Sequence, residues 1–299
     1  MGHENDHQRS DYRAAFPISV ILNLGFVAVE IVAGLVAGSL ALLSDAGHNL
    51  GDVFGLLLAW GAHSLTKRSS TERRTYGWRK VSILAALINS IALLMIAGGI
   101  GWEAIRRLAH PAPVGGRSII GVAAVGIVVN GAAALLFLSG RKKDLNIRGA
   151  FLHLISDAAL SGLVVVAGVG IVVTGRAWLD PAASLLIVVV IFIGTWSLLR
   201  DSFNLAVDAV PRHIDPAEVR EYLGKLPGVV SIHDLHIWAM STTDIALTAH
   251  LMRDRDFDND SIAGVQKEVQ RRFGITHVTL QWERADEPCA CPATCEPGP

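Results

Sequence analysis

Residues 40–65 read LALLSDAGHNLGDVFGLLLAWGAHSL. The run is long and apolar enough to cross a bilayer, which takes about 20 mostly apolar residues. Yet it carries Asp45, His48 and Asp52 in its interior. An ionisable side chain at membrane depth is costly and marks a functional position by default. His48 and Asp52 are four residues apart, so a helix presents both on one face. The same spacing recurs in HLISD, residues 153–157, where His153 and Asp157 share a face of another apolar run. Two such edges close one site of two imidazoles and two carboxylates, a ligand set that suits tetrahedral zinc and also fits cobalt or cadmium. The two carboxylates neutralise a divalent cation where an uncompensated charge would be very costly.

Outward from that stretch, five more runs qualify as spans: 14–37, 81–105, 118–138, 149–173 and 178–199. The 299-residue chain is 51% hydrophobic and 18% charged, with a mean hydropathy of +0.43. That is more apolar than one soluble core accommodates. Six spans predict a multi-pass membrane protein, an all-α six-helix bundle with both termini on one side. Basic residues collect in cytoplasmic loops. Here Arg9 and Arg13, then Lys67, Arg68, Arg73, Arg74, Arg79 and Lys80, then Arg141, Lys142, Lys143 and Arg148 mark one side, against Arg106, Arg107, Arg117 and Arg176 on the other. Both termini are therefore expected in the cytoplasm. The polar start leads into a full-length span with no small-residue cleavage site, so it does not read as a signal peptide.

Beyond residue 210 the sequence turns soluble. Asp215-Pro216 is a cap followed by proline at the first helical position, opening a helix that runs to Leu226. Strands over 229–240 and 244–252, a helix over 260–273 and a strand over 276–283 follow. The order αββαβ predicts a small ferredoxin-like, metallochaperone-like α+β domain, suited to dimerisation. The expected organisation is a polar tail (1–13), a six-span transport domain (14–210), a cytoplasmic dimerisation domain (211–285) to which the family resemblance given below adds metal sensing, and a Cys/Pro-rich tail (286–299). Cys289, Cys291 and Cys295 have no partner elsewhere in the chain, which argues against a disulfide framework in a reducing compartment. With His3 and His7 they form a soft-metal capture set, against the alternative of a disordered tail.

Several further groups have narrower readings. Gly47, Gly51 and Gly55 form a small-xxx-small face for close helix contact. Asp45 reads as an entrance carboxylate or a helix-start cap, with a supporting role preferred. Asn23, Glu30, Asn89 and Asn130 read as hydrogen-bonding groups between helices. Because ligation needs neutral imidazole and ionised carboxylate, metal binding displaces protons, and proton antiport is the expected mechanism. A passive channel is the first alternative, but a complete cage binds too tightly for fast unaided passage. A membrane-anchored metal sensor is the second. Enzymatic turnover is not expected, since the cage leaves no open coordination position and no nucleophile or phosphate loop accompanies it. No basic run tracks a nucleic-acid backbone.

The segments LLSDAGHNLGD (42–52), RRTYGWRKVSILAALIN (73–89), HLISD (153–157) and HDLHIWAMS (233–241) together resemble the cation diffusion facilitator family of zinc transporters. The resemblance covers nearly the whole chain. It implies a homodimer that exchanges cytoplasmic divalent metal for protons by alternating access, with His48, Asp52, His153 and Asp157 as transport ligands. A histidine at the position of His48 goes with the zinc-selective branch. Lys80 and Asp208 match a charge interlock that holds the dimer near the membrane surface. His233, His250 and Glu283 match ligands for regulatory zinc, while Gln281 stands where some relatives have histidine; His236 and His277 are further candidates. The loop STERRTYGWRK lacks the ligands of a second site found there in some relatives. A bacterial inner membrane is the expected location.

Overall fold

The computed structural model describes residues 21, 23–66, 68–138, 145–253 and 262–284. The chain divides into two compact units, Met1–Leu57 with Ile88–Leu198, and Leu58–Leu87 with Leu199–Pro299. Among the described residues a shorter helix, α1 (Asn23–Ala37), and five long ones, α2 (Leu40–Thr66), α3 (Val81–Ala109), α4 (Gly116–Phe137), α5 (Leu145–Thr174) and α6 (Leu179–Ala206), precede the C-terminal part. Four of them, α3 to α6, are long and apolar enough to cross a membrane. They form a membrane domain with the other helical segments. In α1 the description covers only the C-terminal part of the expected span. In α2 the polar groups Asp45, His48, Asn49 and Asp52 dilute an otherwise apolar helix, so its departure from the apolar norm is the signature of its contents.

The first unit packs Leu42 of α2, Ala97 of α3, Ile119 of α4, Val164 of α5 and Ile187 of α6 into one core. The glycine face of α2 lies against α3. A Cβ on Gly51 would come within 2.0 Å of Leu93 Cδ2 and 2.9 Å of its Cγ, so Leu93 would have to move; one on Gly55 would come within 2.8 Å of Asn89 Nδ2, the end of a side chain that can turn aside. The turn into α2 passes through Gly38 at φ 67°, in the left-handed region that glycine enters without penalty.

The start of α2 is held from outside the helix. A helix leaves its first amides without intrahelical acceptors, and here Asp180 of α6 supplies them. It accepts hydrogen bonds from Leu40 N (2.7 Å), Ala41 N (3.3 Å) and Ser39 Oγ (2.5 Å), all buried. Ser39 Oγ in turn accepts from Leu42 N at 3.2 Å. One turn on, the hydroxyls of Ser44 and Ser184 lie 2.6 Å apart. Arg107 of α3 donates to the Gly38 carbonyl at 2.5 Å and to Glu103 at 2.9 Å.

The second unit contains α7 (Pro216–Gly224), β1 (Val229–Ala239), β2 (Ile245–Arg253), α8 (Ile262–Phe273) and β3 (His277–Arg284). The observed order is αββαβ. Asp215 caps α7 by accepting from Ala217 N at 2.8 Å, with Pro216 at the first helical position. The sheet order is β1-β2-β3, with β1 antiparallel and β3 parallel to β2. Leu247, Leu251, Val219, Leu223, Val269 and Ile275 form its core. A β-bulge between His233 and His236 interrupts the β1–β2 register, with Asp234 in the left-handed region at φ 52°. The N-terminal tail with His3 and His7, and the C-terminal tail with Cys289, Cys291 and Cys295, lie outside the described residues.

Candidate metal centres

Helices α2 and α5 each carry one His/Asp pair four residues apart, and the fold brings the two pairs together. His48 Nε2 lies 3.5 Å from Asp157 Oδ1 and 3.8 Å from Asp52 Oδ2; His153 Nε2 lies 3.4 Å from Asp52 Oδ2 and 3.6 Å from Asp157 Oδ2. Histidine and aspartate therefore alternate around a closed ring of four contacts. Ligands about 2.0–2.1 Å from a tetrahedral zinc stand roughly 3.3 Å apart, close to all four edges. The ligand atoms of His48, Asp52 and Asp157 lie within 4.8 Å of one another. Both Asp157 oxygens and Asp52 Oδ2 are buried without a hydrogen bond. Carboxylate oxygens left so at this depth are costly unless a cation or a proton meets them.

One turn further along, Asn49 Nδ2 donates to Glu30 Oε2 of α1 at 3.3 Å, and Ser161 Oγ of α5 donates to Asp45 Oδ2 at 2.8 Å. All four side chains are completely buried. An entrance carboxylate needs solvent access, which Asp45 lacks. Nor does it cap the helix start, because α2 begins at Leu40 and takes its cap from Ser39 and Asp180. Asp45 is instead an interior residue that ties α2 to α5 through Ser161. Glu30 fits the expected part of a group bonding one helix to the next.

The soluble part holds a second cluster. His233 on β1 faces His250 on β2 in the strand register, their ring centroids 5.2 Å apart. Glu283 of β3 bridges them, with Oε2 3.1 Å from His233 Nε2 and Oε1 2.9 Å from His250 Nδ1. These three also place ligand atoms within 4.8 Å of one another. Asp234 joins them through the bulge, 3.6 Å from His250 Nε2 and 2.8 Å from His236 Nε2. No feature of its sequence context singled it out, because its reach depends on the bulge. Gln281 donates to Glu283 at 2.9 Å, orienting the bridging carboxylate. His277 sits apart, edge-on to Tyr76 at 5.8 Å. Lys80 Nζ lies 2.6 Å from Asp208 Oδ1, both about half exposed.

Residues 17–205 match the family model described as cation efflux transmembrane domain, and residues 211–285 match cation efflux protein, cytoplasmic domain. The chain belongs to the cation efflux family. It is 34% identical to a cadmium, cobalt and zinc/H(+)-K(+) antiporter of Bacillus velezensis, over 95% of this chain and 93% of the relative. It is 36% identical to zinc transporter ZitB of Escherichia coli, over 90% of this chain and 86% of the relative. A solved structure of the metal-bound C-terminal domain of the CzcD transporter from Cuprividus metallidurans is 38% identical, covering 23% of this chain and 99% of that one, at a TM-score of 0.22. The protein is thus an integral membrane metal-efflux transporter, not an enzyme, with a cytoplasmic dimer domain at its C-terminal end.

Proposed function

We propose that this protein exports zinc from the cytoplasm in exchange for protons, binding the ion between His48, Asp52, His153 and Asp157. The observation that carries the reading is the alternating His/Asp ring, whose edges of 3.4–3.8 Å approach those of a tetrahedral zinc site. Exposure along α5 supports loading from the cytoplasm. His153 is 45% exposed, whereas Asp157 and Ser161 are sealed, and the basic loop before α5 marks the His153 end as cytoplasmic. Zinc release leaves two carboxylates and two imidazoles that protons neutralise, so cargo and protons compete for one set of atoms.

In this reading residues 14–210 cross a bacterial inner membrane six times, with both termini in the cytoplasm. Residues 211–285 dimerise and bind a regulatory zinc through His233, His250 and Glu283. The Lys80–Asp208 pair braces the dimer at the membrane surface. The test is reconstitution in liposomes carrying a pH-sensitive dye, with zinc, cadmium and cobalt supplied in turn. Zinc is expected to drive saturable proton movement that Asp157→Ala abolishes. Equal transport by the variant would overturn the assigned site, and flux independent of a pH gradient would favour a channel.

A further inference from the structure

The α2–α3 loop and the first turn of α3 line, with β1, an open cleft of about 420 Å³, within the size range of roughly 300–1,000 Å³ typical of small-molecule pockets. All of its lining belongs to one compact unit. Four cations, Arg73, Arg74, Arg79 and Lys80, line it without a single carboxylate, and Trp78 and Trp238 supply apolar wall. Arg79 and Lys80 already pair with Asp244 (3.8 Å) and Asp208 (2.6 Å). Among the described residues Arg73 and Arg74 face no carboxylate, and the Arg74 guanidinium stacks 4.0 Å over the Trp78 ring. Stacking occupies the face of a guanidinium and leaves its N–H donors for an anion.

The place of this cavity along the chain identifies the anion. Val81, also in its lining, opens α3, an apolar helix of 29 residues that enters the bilayer. Basic residues collect in cytoplasmic loops as a matter of topology, which accounts for the charge. It does not account for a concave pocket walled by two tryptophans, one of them brought in from the soluble domain. Arginines beside tryptophans at the level of the headgroups are the complement of a phosphodiester above the start of its acyl chains. We propose that this cavity binds the headgroup of an anionic phospholipid from the cytoplasmic leaflet, held by Arg73 and Arg74.

The full-length protein in detergent would be titrated with phosphatidylglycerol and with phosphatidylcholine, and bound lipid read by native mass spectrometry. The wild type is expected to retain phosphatidylglycerol in preference. Arg73→Gln/Arg74→Gln should weaken that binding about twenty-five-fold, roughly five-fold per arginine, and leave phosphatidylcholine unchanged. Brominated phosphatidylglycerol provides a second readout without the double variant: it should quench wild-type tryptophan fluorescence more than Trp238→Phe fluorescence. Equal retention of the two lipids by the wild type, undiminished binding by the double variant, or identical quenching would each overturn the assignment. So would displacement of the lipid by millimolar inorganic phosphate, since the pocket would then read a free anion.

Discussion

At the scale of single residues, the proposed transport centre contains buried carboxylate oxygens of Asp52 and Asp157 that have no hydrogen bond. Asp157 is the most enclosed of the four ligands, so Asp157→Asn should lower zinc affinity in calorimetric titration by more than the roughly 10–100-fold that loss of an outer-shell partner costs. The cytoplasmic cluster predicts a separate effect. His233→Ala with His250→Ala should reduce the zinc held per protomer in equilibrium dialysis while leaving Asp157-dependent binding in place. That the four proposed ligands come together was legible because lipid makes every ionisable side chain conspicuous, and because two pairs repeat one spacing. Asp234 was not: on a regular strand it would share a face with His236 and lie opposite to His233, and the bulge is what lets it approach His250, the cross-strand partner of His233. Asp45 was legible as a supporting group near a helix start, but its partner was not, since sequence does not show that Ser161 of α5 comes within 2.8 Å of it.

Among the elements, α2 carries both structural and chemical constraints. Its glycine face meets α3 so closely that Gly51→Val should force the pair apart, at a cost of about 1–3 kcal/mol for overpacking. A fall in thermal melting temperature in detergent would register it. Gly61, further along the same helix, has nothing within 4 Å of an added Cβ, so Gly61→Ala should leave the melt unchanged. The soluble elements follow their sequence pattern closely, as turn residues and alternation bound each of them. The cap of α2 shows where such reading ends. Asp-Pro occurs twice, at 180–181 and 215–216. Asp215 caps its own helix, whereas Asp180 reaches the amides of a helix 140 residues earlier. Identical dipeptides differ in role because tertiary packing decides which amides each one meets. Asp180→Ala should destabilise the fold by about 2 kcal/mol, leaving buried amides and the Ser39 hydroxyl without their acceptor.

For the whole molecule, dimerisation and pH provide the tests. If Lys80–Asp208 braces the dimer, Lys80→Glu should shift it toward monomer in light scattering, and adding Asp208→Lys should restore it. Zinc uptake should weaken as pH falls, because protonated imidazole is no ligand; tighter binding on acidification would contradict competition between cargo and protons. The clasp between Asp180 and α2 also orders the events of synthesis. The second helix leaves the ribosome well before the sixth, and unpaired amides in hydrocarbon cost several kcal/mol each. Until residue 180 has been inserted, the first turn of α2 has no carboxylate to accept its protons. A chain halted after α5 would hold all four proposed ligands and still lack the acceptor that fixes the start of the helix carrying His48 and Asp52. If those four bind the cargo, a nascent chain would acquire its metal-binding geometry only once α6 has entered the membrane.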